Sequence, residues 1–480
     1  MAFRLAWAKD PTAEASLVYR SRAPMSAGSL PAPLAVLGKE HSSFTDTGAL
    51  PWTRYYYRVG SQRSVLGYEF AVSDDIYAGY EDGPTLDLSF TNGSYQVVGD
   101  SRAILGAVAF ADLITFTRAS GGGRFNAQGQ YEWLPANQPR LDFDPATGEA
   151  KGLLIEEQRT NLLTDSGFAG QVIGAELPLN WSYETRYGLS TEVVGTGTEN
   201  GIGYVDLRVF GTGEAAGSLV LRRGYGYAVA AGSAWSFSAF AKIVSSVKGP
   251  NSVYIAIVET GVWSGTESPV DIGTSQFARY SVTRTAGGDR SFQPRIRFGH
   301  TAGVAYDYVV RIGGTQFEAG SFPTSLIHTT GAQVTRAADI ASVDVLSPWF
   351  NASEGTLFVE FQTFATAGLP TVFVLVGDIL AWSNTSNSNI ALNGRGSNSW
   401  AVTSSPPLQA LKKYAVSITP AGASACVNGG NVATATRSAI TPATRLQLGW
   451  GSGAYINGHI RSIRYFPRRL SDTELQALTA

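Results

Sequence analysis

Apolar and polar residues alternate with a period of two along most of this chain, the pattern of strands with one packed face and one wet face. Leu5 and Trp7 share a face near the start, and Leu17 and Tyr19 share one on the next run. Leu86, Leu88 and Phe90 repeat the pattern, followed by a small apolar stretch over 104–110. Between 166 and 340 the runs 235–242, 253–258, 277–282, 295–298 and 306–310 alternate or are continuously apolar. Beyond 350, the runs 355–361, 414–418 and 458–466 do the same. Short strands separated by turn residues favour sandwiches over an α/β fold. One helix is expected, near the C-terminus: Ser471 and Glu474 have capping-box spacing, and Leu470 with Leu475 fits a hydrophobic staple. The predicted fold class is all-β, with serial β-sandwich or jelly-roll domains and a short C-terminal helix.

Composition narrows the function. The 480 residues suffice for three or four domains of ~100–200 residues each. Lys+Arg 36 against Asp+Glu 38 gives a net charge of −2, so no basic face is expected and nucleic acid is not an expected partner. Charged residues are only 15%, against ~25% in ordinary domains, which suits loops built from neutral polar and aromatic side chains. The single cysteine, Cys426, excludes an internal disulfide and a Cys-based zinc site, and reads as a buried inert thiol. Four scattered histidines show no metal-ligand spacing, so neither metal nor cofactor is expected. Gly121–Gly123 lacks a following GK[ST] and reads as a flexible turn, not a phosphate cradle. The start lacks a signal-peptide layout and no run approaches ~18 apolar residues, so synthesis in a cytoplasm without membrane insertion is expected. The acidic, aromatic run Asp74, Asp75, Tyr77, Tyr80, Glu81, Asp82 lacks EF-hand spacing and reads as a solvated linker.

Four parts of the chain resemble known families. The text around 44–59 (FTDTGALPWTRYYYRV), with Leu5-Ala6-Trp7 and Val18-Tyr19-Arg20-Ser21, resembles a fibronectin type III module over about 70 residues. Phe116-Thr117-Arg118-Ala119-Ser120, then 139–148 (PRLDFDPATG) and 152–163 (GLLIEEQRTNLL), resembles a segment of tailed-bacteriophage and gene transfer agent head-spike and tail-fibre proteins. The text 316–325 (QFEAGSFPTS) followed by 334–339 (VTRAAD) resembles the close of a carbohydrate-binding-module-like domain that follows that segment in phage fibres. The last strand and cap, 458–475, resemble those of a concanavalin A- or laminin G-like jelly roll. The implied domains are a fibronectin-like anchor or spacer (1–70), a linker with the spike/fibre segment (71–165), a carbohydrate-binding-module-like sandwich (166–345) and a jelly roll (346–480).

These resemblances imply a non-enzymatic virion spike or fibre subunit, made in the bacterial cytoplasm and displayed on the particle surface. Its expected partners are a host-surface polysaccharide and, through the N-terminal region, other virion proteins; a homotrimer is implied. Sugar sites combine aromatic platforms with neutral polar groups, so the expected glycan contacts are Trp382, Trp400, Trp450, Tyr455, Asn393 and Asn457, with no catalytic residue. Two rivals stand beside this reading: a capsule-degrading glycoside hydrolase, and a purely structural decoration protein. A hydrolase needs a carboxylate pair about 5–10 Å apart with unequal pKa values. Its candidates are Asp142, Asp144, Glu156 and Glu157, whose simpler role is to pair with Arg140 and Arg159.

Overall fold

The computed structural model describes residues 3–21, 25–26, 29–46, 55–63, 67–69, 76–78, 83–98, 104–224, 226–260, 264–366, 370–377, 379–383, 390–394, 400–402, 409–436 and 442–480. The chain is all-β, with 41 strands and two helices among these residues. Asp74, Asp75 and 79–82 of the acidic run, and 47–54 of the fibronectin-like stretch, lie outside the described residues.

The N-terminal unit is small. Ala15–Ser21 pairs antiparallel with Ala35–Gly38 on one side and Tyr55–Arg63 on the other, while Phe3–Ala6 pairs with Ser43–Asp46. Alternation turns Tyr55 and Tyr57 inward against Leu5 and Val18. Asp46 ties this core together, accepting from Tyr57 Oη at 2.7 Å and from Arg20 Nη1 at 2.8 Å.

The terminal strand Gly458–Phe466 organises the largest sandwich. One edge pairs along its length with Gly355–Thr363. The other edge is shared end to end: Leu86–Ser89 pairs with residues 462–465, and Ala150–Ile155 pairs with residues 458–460. The facing sheet runs from Thr115–Thr117 through Ile340–Val343 and Leu446–Leu448 to Thr371–Leu375 and beyond. One continuous core therefore joins Leu86, Leu88, Leu153 and Ile155 to Val359, Phe373, Val416, Ile460 and Ile463. Residues 86–155, expected as a linker with a separate segment, mostly supply strands to this last sandwich. The cause is that edge: a strand as buried as Gly458–Phe466 needs its backbone paired on both sides, and the early segments provide it.

The second sandwich is inserted into the first. Its sheets are Trp181–Thr185, Gly217–Arg223, Arg290–His300, Ser252–Glu259 and Ser264–Pro269 against Ser190–Glu199, Ile202–Thr212, Ala305–Ala319, Ala234–Lys248 and Ala278–Thr285. Its core, from Leu163 to Phe317, is separate. The inbound strand Arg159–Asn161 and the outbound strand Val334–Arg336 pair with each other, so the insertion leaves and returns at one point.

The predicted helix forms at Asp472–Thr479, with Ser471 and Glu474 in a reciprocal capping box and Leu470 and Leu475 fully buried. Cys426 is buried as expected; its thiol donates to the Gly430 carbonyl, and burial pushes its pKa up. The expected Gly121–Gly123 turn is different: Gly122–Phe125 is a strand paired with Tyr131–Leu134. A side chain at Gly123 would strike the Tyr131 hydroxyl and the Leu326 carbonyl, so glycine there serves close packing.

Candidate functional site

The quoted motif stretches converge on the point where the insertion joins the outer sandwich. Arg118, Arg140, Glu156, Arg336 and Asp339 are each at most 1% exposed. Arg140 donates from Nη1 to Glu156 Oε2 at 2.7 Å and to Ser325 Oγ at 2.7 Å, and from Nη2 to Asp339 Oδ2. Arg118 donates to Asp339 Oδ1 at 3.1 Å and to the carbonyls of Ser120, Pro135 and Gln138. Arg336 donates to the Glu157 carbonyl at 2.7 Å, with Glu156 at 3.5 Å. Three guanidinium groups thus face two carboxylates, and backbone carbonyl dipoles take up the excess positive charge.

Neighbouring motif residues extend this joint. Asn161, fully buried, uses its whole amide: Oδ1 accepts from the Leu163 and Phe317 N–H groups, and Nδ2 donates to the Thr315 and Ile327 carbonyls. Glu318 accepts from Thr324 N at 2.8 Å and Thr324 Oγ1 at 2.7 Å, while Gln316 Oε1 accepts from Ile327 N. Gly320 sits at φ +135, and any side chain there would overlap the Arg159 guanidinium.

Of the acid/base candidates, Glu156 pairs with Arg140 and Glu157 with Arg159, the simpler role open to them. Burial alone would raise Glu156, but the Arg336 and Arg140 guanidinium groups and Ser325 hold it well below the usual carboxylate range. Asp144 closes the turn between Leu141–Phe143 and Ala150–Ile155, accepting from the Ala146 and Thr147 N–H groups. Burial is the largest single effect on it and acts upward, but these bonds and Lys151 together outweigh it and lower Asp144 as well. A general acid working near neutral pH needs the opposite shift.

Beside the joint, at the seam between the sandwiches, lies a cleft of about 230 Å³. Phe125, Tyr131, Phe240 and Leu326 form one wall, with Phe125 edge-on to Tyr131 at 5.8 Å. Phe364 and His459 form part of another, edge to face at 5.1 Å. Asp142 bridges them: Oδ1 accepts from Phe125 N at 2.8 Å, and Oδ2 accepts from His459 Nε2 at 2.9 Å. His459 Nδ1 is buried with no partner. Arg124, Lys151 and Arg279 add positive charge to the lining. Aromatic rings beside a few convergent polar groups make a surface that takes the apolar face of a sugar ring and fixes its hydroxyls.

The expected glycan contacts fall in two groups, and Trp450 and Tyr455 are direct cross-strand partners. Trp450 is half-buried and donates from Nε1 to the Ala341 carbonyl at 2.8 Å, and Tyr455 packs on the outer sandwich core. Asn457 is 5% exposed and faces Glu157, accepting from its N–H at 2.9 Å and donating to its Oε2 at 3.2 Å. Trp382, Asn393 and Trp400 lie on the paired strands Ile379–Ser383, Ile390–Gly394 and Trp400–Val402; their side chains lie outside the described residues. Sequence reasoning assigned no role to His459, Phe125, Phe240 or Phe364. Nothing local marks them, because four separate strands and loops bring them together. No group of three or more potential metal ligands occurs among the described residues.

No protein family model matches the sequence, and no curated protein matches it. Among solved structures, the tandem CBM22 domains of Paenibacillus barcinonensis Xyn10C align at 10% identity with a TM-score of 0.23, over 65% of this chain and 99% of that one. A candidate carbohydrate-binding protein from Bacteroides ovatus aligns at 10% identity with a TM-score of 0.24, over 55% and 78%. Trypanosoma rangeli sialidase aligns at 10% identity with a TM-score of 0.25, over 88% of this chain and 66% of that one. Scores this low do not establish a shared fold.

Proposed function

We propose that this protein is a non-enzymatic virion spike or fibre subunit that attaches to a host-surface polysaccharide. The seam cleft carries the glycan-binding part: aromatic walls from both sandwiches, a positioned Asp142–His459 pair and cationic side chains in one recess. The virion assignment is supported by the resemblance of the motif stretches to phage spike and fibre text. In this reading the N-terminal unit lies toward the particle, other virion proteins contact it, and trimer formation raises weak sugar affinity through avidity. A second reading, a capsule depolymerase, is favoured by one observation, the Asp142–His459 pair inside a cleft. Opposing it, the motif acids Asp144 and Glu156 are held below their ordinary range, the wrong direction for a general acid.

The test is an array of bacterial surface polysaccharides probed with the full chain and with Phe125→Ala. Binding to at least one polysaccharide, weakened at least fivefold in the variant, is expected. No binding anywhere on the array, or binding indifferent to Phe125, contradicts the seam cleft as receptor site. Labelling the protein on imaged particles tests the virion assignment separately; its absence from them contradicts that part.

A further inference from the structure

A second recess lies on the inserted sandwich, about 310 Å³ in volume and lined by Thr164, Asn180, Trp181, Ser182, Arg223, Gly224 and Tyr227. Its lining is about half polar, where that of the seam cleft is mostly apolar. Trp181 and Arg223 are direct cross-strand partners, so their side chains rise side by side from the same face. Asn180 at φ +64 and Gly224 at φ +71 turn the chain sharply at the two rims.

Arg223 is the unusual member. It is 2% exposed, yet it forms no ion pair among the described residues. Nη1 donates to the Leu179 carbonyl, and Nη2 is buried with no partner. The Trp181 indole N–H beside it is also buried and unpartnered. Asp165 acts on Arg223 only at a distance, because its oxygens are taken by Asn180 Nδ2 at 2.7 Å, Thr164 Oγ1 at 3.0 Å and the Gly331 N–H at 2.9 Å. A guanidinium withdrawn from water without a contacting anion is costly, and the Leu179 carbonyl and the more distant Asp165 offset only part of that cost. The inserted sandwich's other buried arginine, Arg295, has its carboxylate, Glu184, at 2.6 Å.

We propose that this recess binds a carboxylate-bearing sugar residue of the uronic or sialic acid class, with Arg223 as the carboxylate receptor. Guanidinium and carboxylate match as a two-pronged hydrogen-bonded pair, and burial strengthens the match. The Trp181 N–H supplies a further donor, the Tyr227 ring flanks the sugar, and Thr164, Ser182 and Asn180 offer neutral partners for hydroxyls. An acidic peptide would present a carboxylate too, but it would leave this ring of short hydroxyl and amide groups without work. The site stands on Arg223 and Trp181 and is independent of the seam cleft.

The test uses the full chain and ligand-observed NMR with methyl glycosides of glucuronate, galacturonate, mannuronate and N-acetylneuraminate, each beside its carboxyl methyl ester. At least one acid is expected to bind at least tenfold more tightly than its own ester. That preference is expected to vanish in Arg223→Gln, to weaken at least threefold in Trp181→Phe, which keeps an aromatic ring, though a smaller one, and removes the N–H, and to persist in Phe125→Ala. No acid binding better than its ester overturns the proposal. So does a preference that survives Arg223→Gln or is unaffected by Trp181→Phe. The ester comparison needs no variant, and Trp181→Phe covers the case in which Arg223→Gln does not fold.

Discussion

Arg140 donates directly to Asp339, 199 residues further along the chain, and both side chains are fully buried. The whole inserted sandwich lies between them in sequence. Their contact therefore closes the insertion's base, and the residues around it lock the same junction. Two of the stretches quoted for resemblance meet in this joint: Arg118, Arg140, Glu156 and Asn161 from the spike/fibre-like text, and Glu318, Arg336 and Asp339 from the carbohydrate-binding-module-like close, are all buried in it.

Breaking the pair on one side should be expensive. Arg140→Met removes the cation that hydrogen-bonds both Glu156 and Asp339 in the interior, and a loss of about 3–5 kcal/mol is expected. Chemical denaturation measures it, and proteolysis should begin to cut near 156–165 and 325–340. Arg140→Met combined with Asp339→Asn should cost less than the sum of the single changes, since a coupled buried pair is not additive. Additive losses would mean that the two groups do not interact.

Asn161→Ala removes four hydrogen bonds at once and leaves the Leu163 and Phe317 N–H groups unsatisfied in the interior. A loss of at least about 2 kcal/mol is expected. Asn161→Asp should not rescue it, because a carboxylate turned toward the Thr315 and Ile327 carbonyls has nothing to donate. Equal stability of Asn161→Asp and the unaltered chain in urea melts would refute this reading.

Acid should weaken the inserted sandwich before it weakens the joint. Burial pushes His300 down to about 4, below its ordinary value of 6.5. The unfolded chain therefore takes up this proton first as pH falls. The stability contribution of neutral His300 is complete above about pH 6.5 and is lost progressively down to about pH 4, about 3 kcal/mol in all. Glu156 behaves at lower pH: its depressed pKa contributes stability above the ordinary carboxylate range, lost only as pH falls below it. Thermal melts between pH 7 and 4 should show a steeper decline in the unaltered chain than in His300→Gln.

The C-terminal helix should respond to its cap alone. Ser471 Oγ accepts from the Glu474 N–H, and the Glu474 carboxylate accepts from the Ser471 N–H at 2.7 Å. Ser471→Ala should cost about 1 kcal/mol. Ser471→Asp should restore most of it, as read by denaturant midpoint.

Much of the architecture is legible because its signals are local. Alternation marks the strands, Asp144-Pro145 and Thr147-Gly148 mark a hairpin turn, and Ser471 with Glu474 marks the helix start. Pairing between distant segments is not local. Leu86–Ser89 reads as a short alternating strand, but nothing in it says that its partner is Arg464 and its neighbours, nearly four hundred residues away. Likewise the acids of the motif stretch are visible as Asp142, Asp144, Glu156 and Glu157, yet their roles depend on Arg336 and His459, which arrive from other elements. The glycine run at 121–123 misleads for the same reason, since Trp133 beside Gly121, Arg118 beside Gly122, and Tyr131 with Leu326 beside Gly123, and not backbone freedom, demand small residues there.

The central claim is that the motif carboxylates hold the structure while the protein binds polysaccharide without cutting it. Reducing-end release from a polysaccharide that the protein binds tests this most directly, measured over hours with the unaltered chain, Asp142→Asn and Glu156→Gln. No release above background by any of the three is predicted, with Glu156→Gln detectably less stable. Sustained release by the unaltered chain that is abolished in Asp142→Asn or Glu156→Gln would contradict the account.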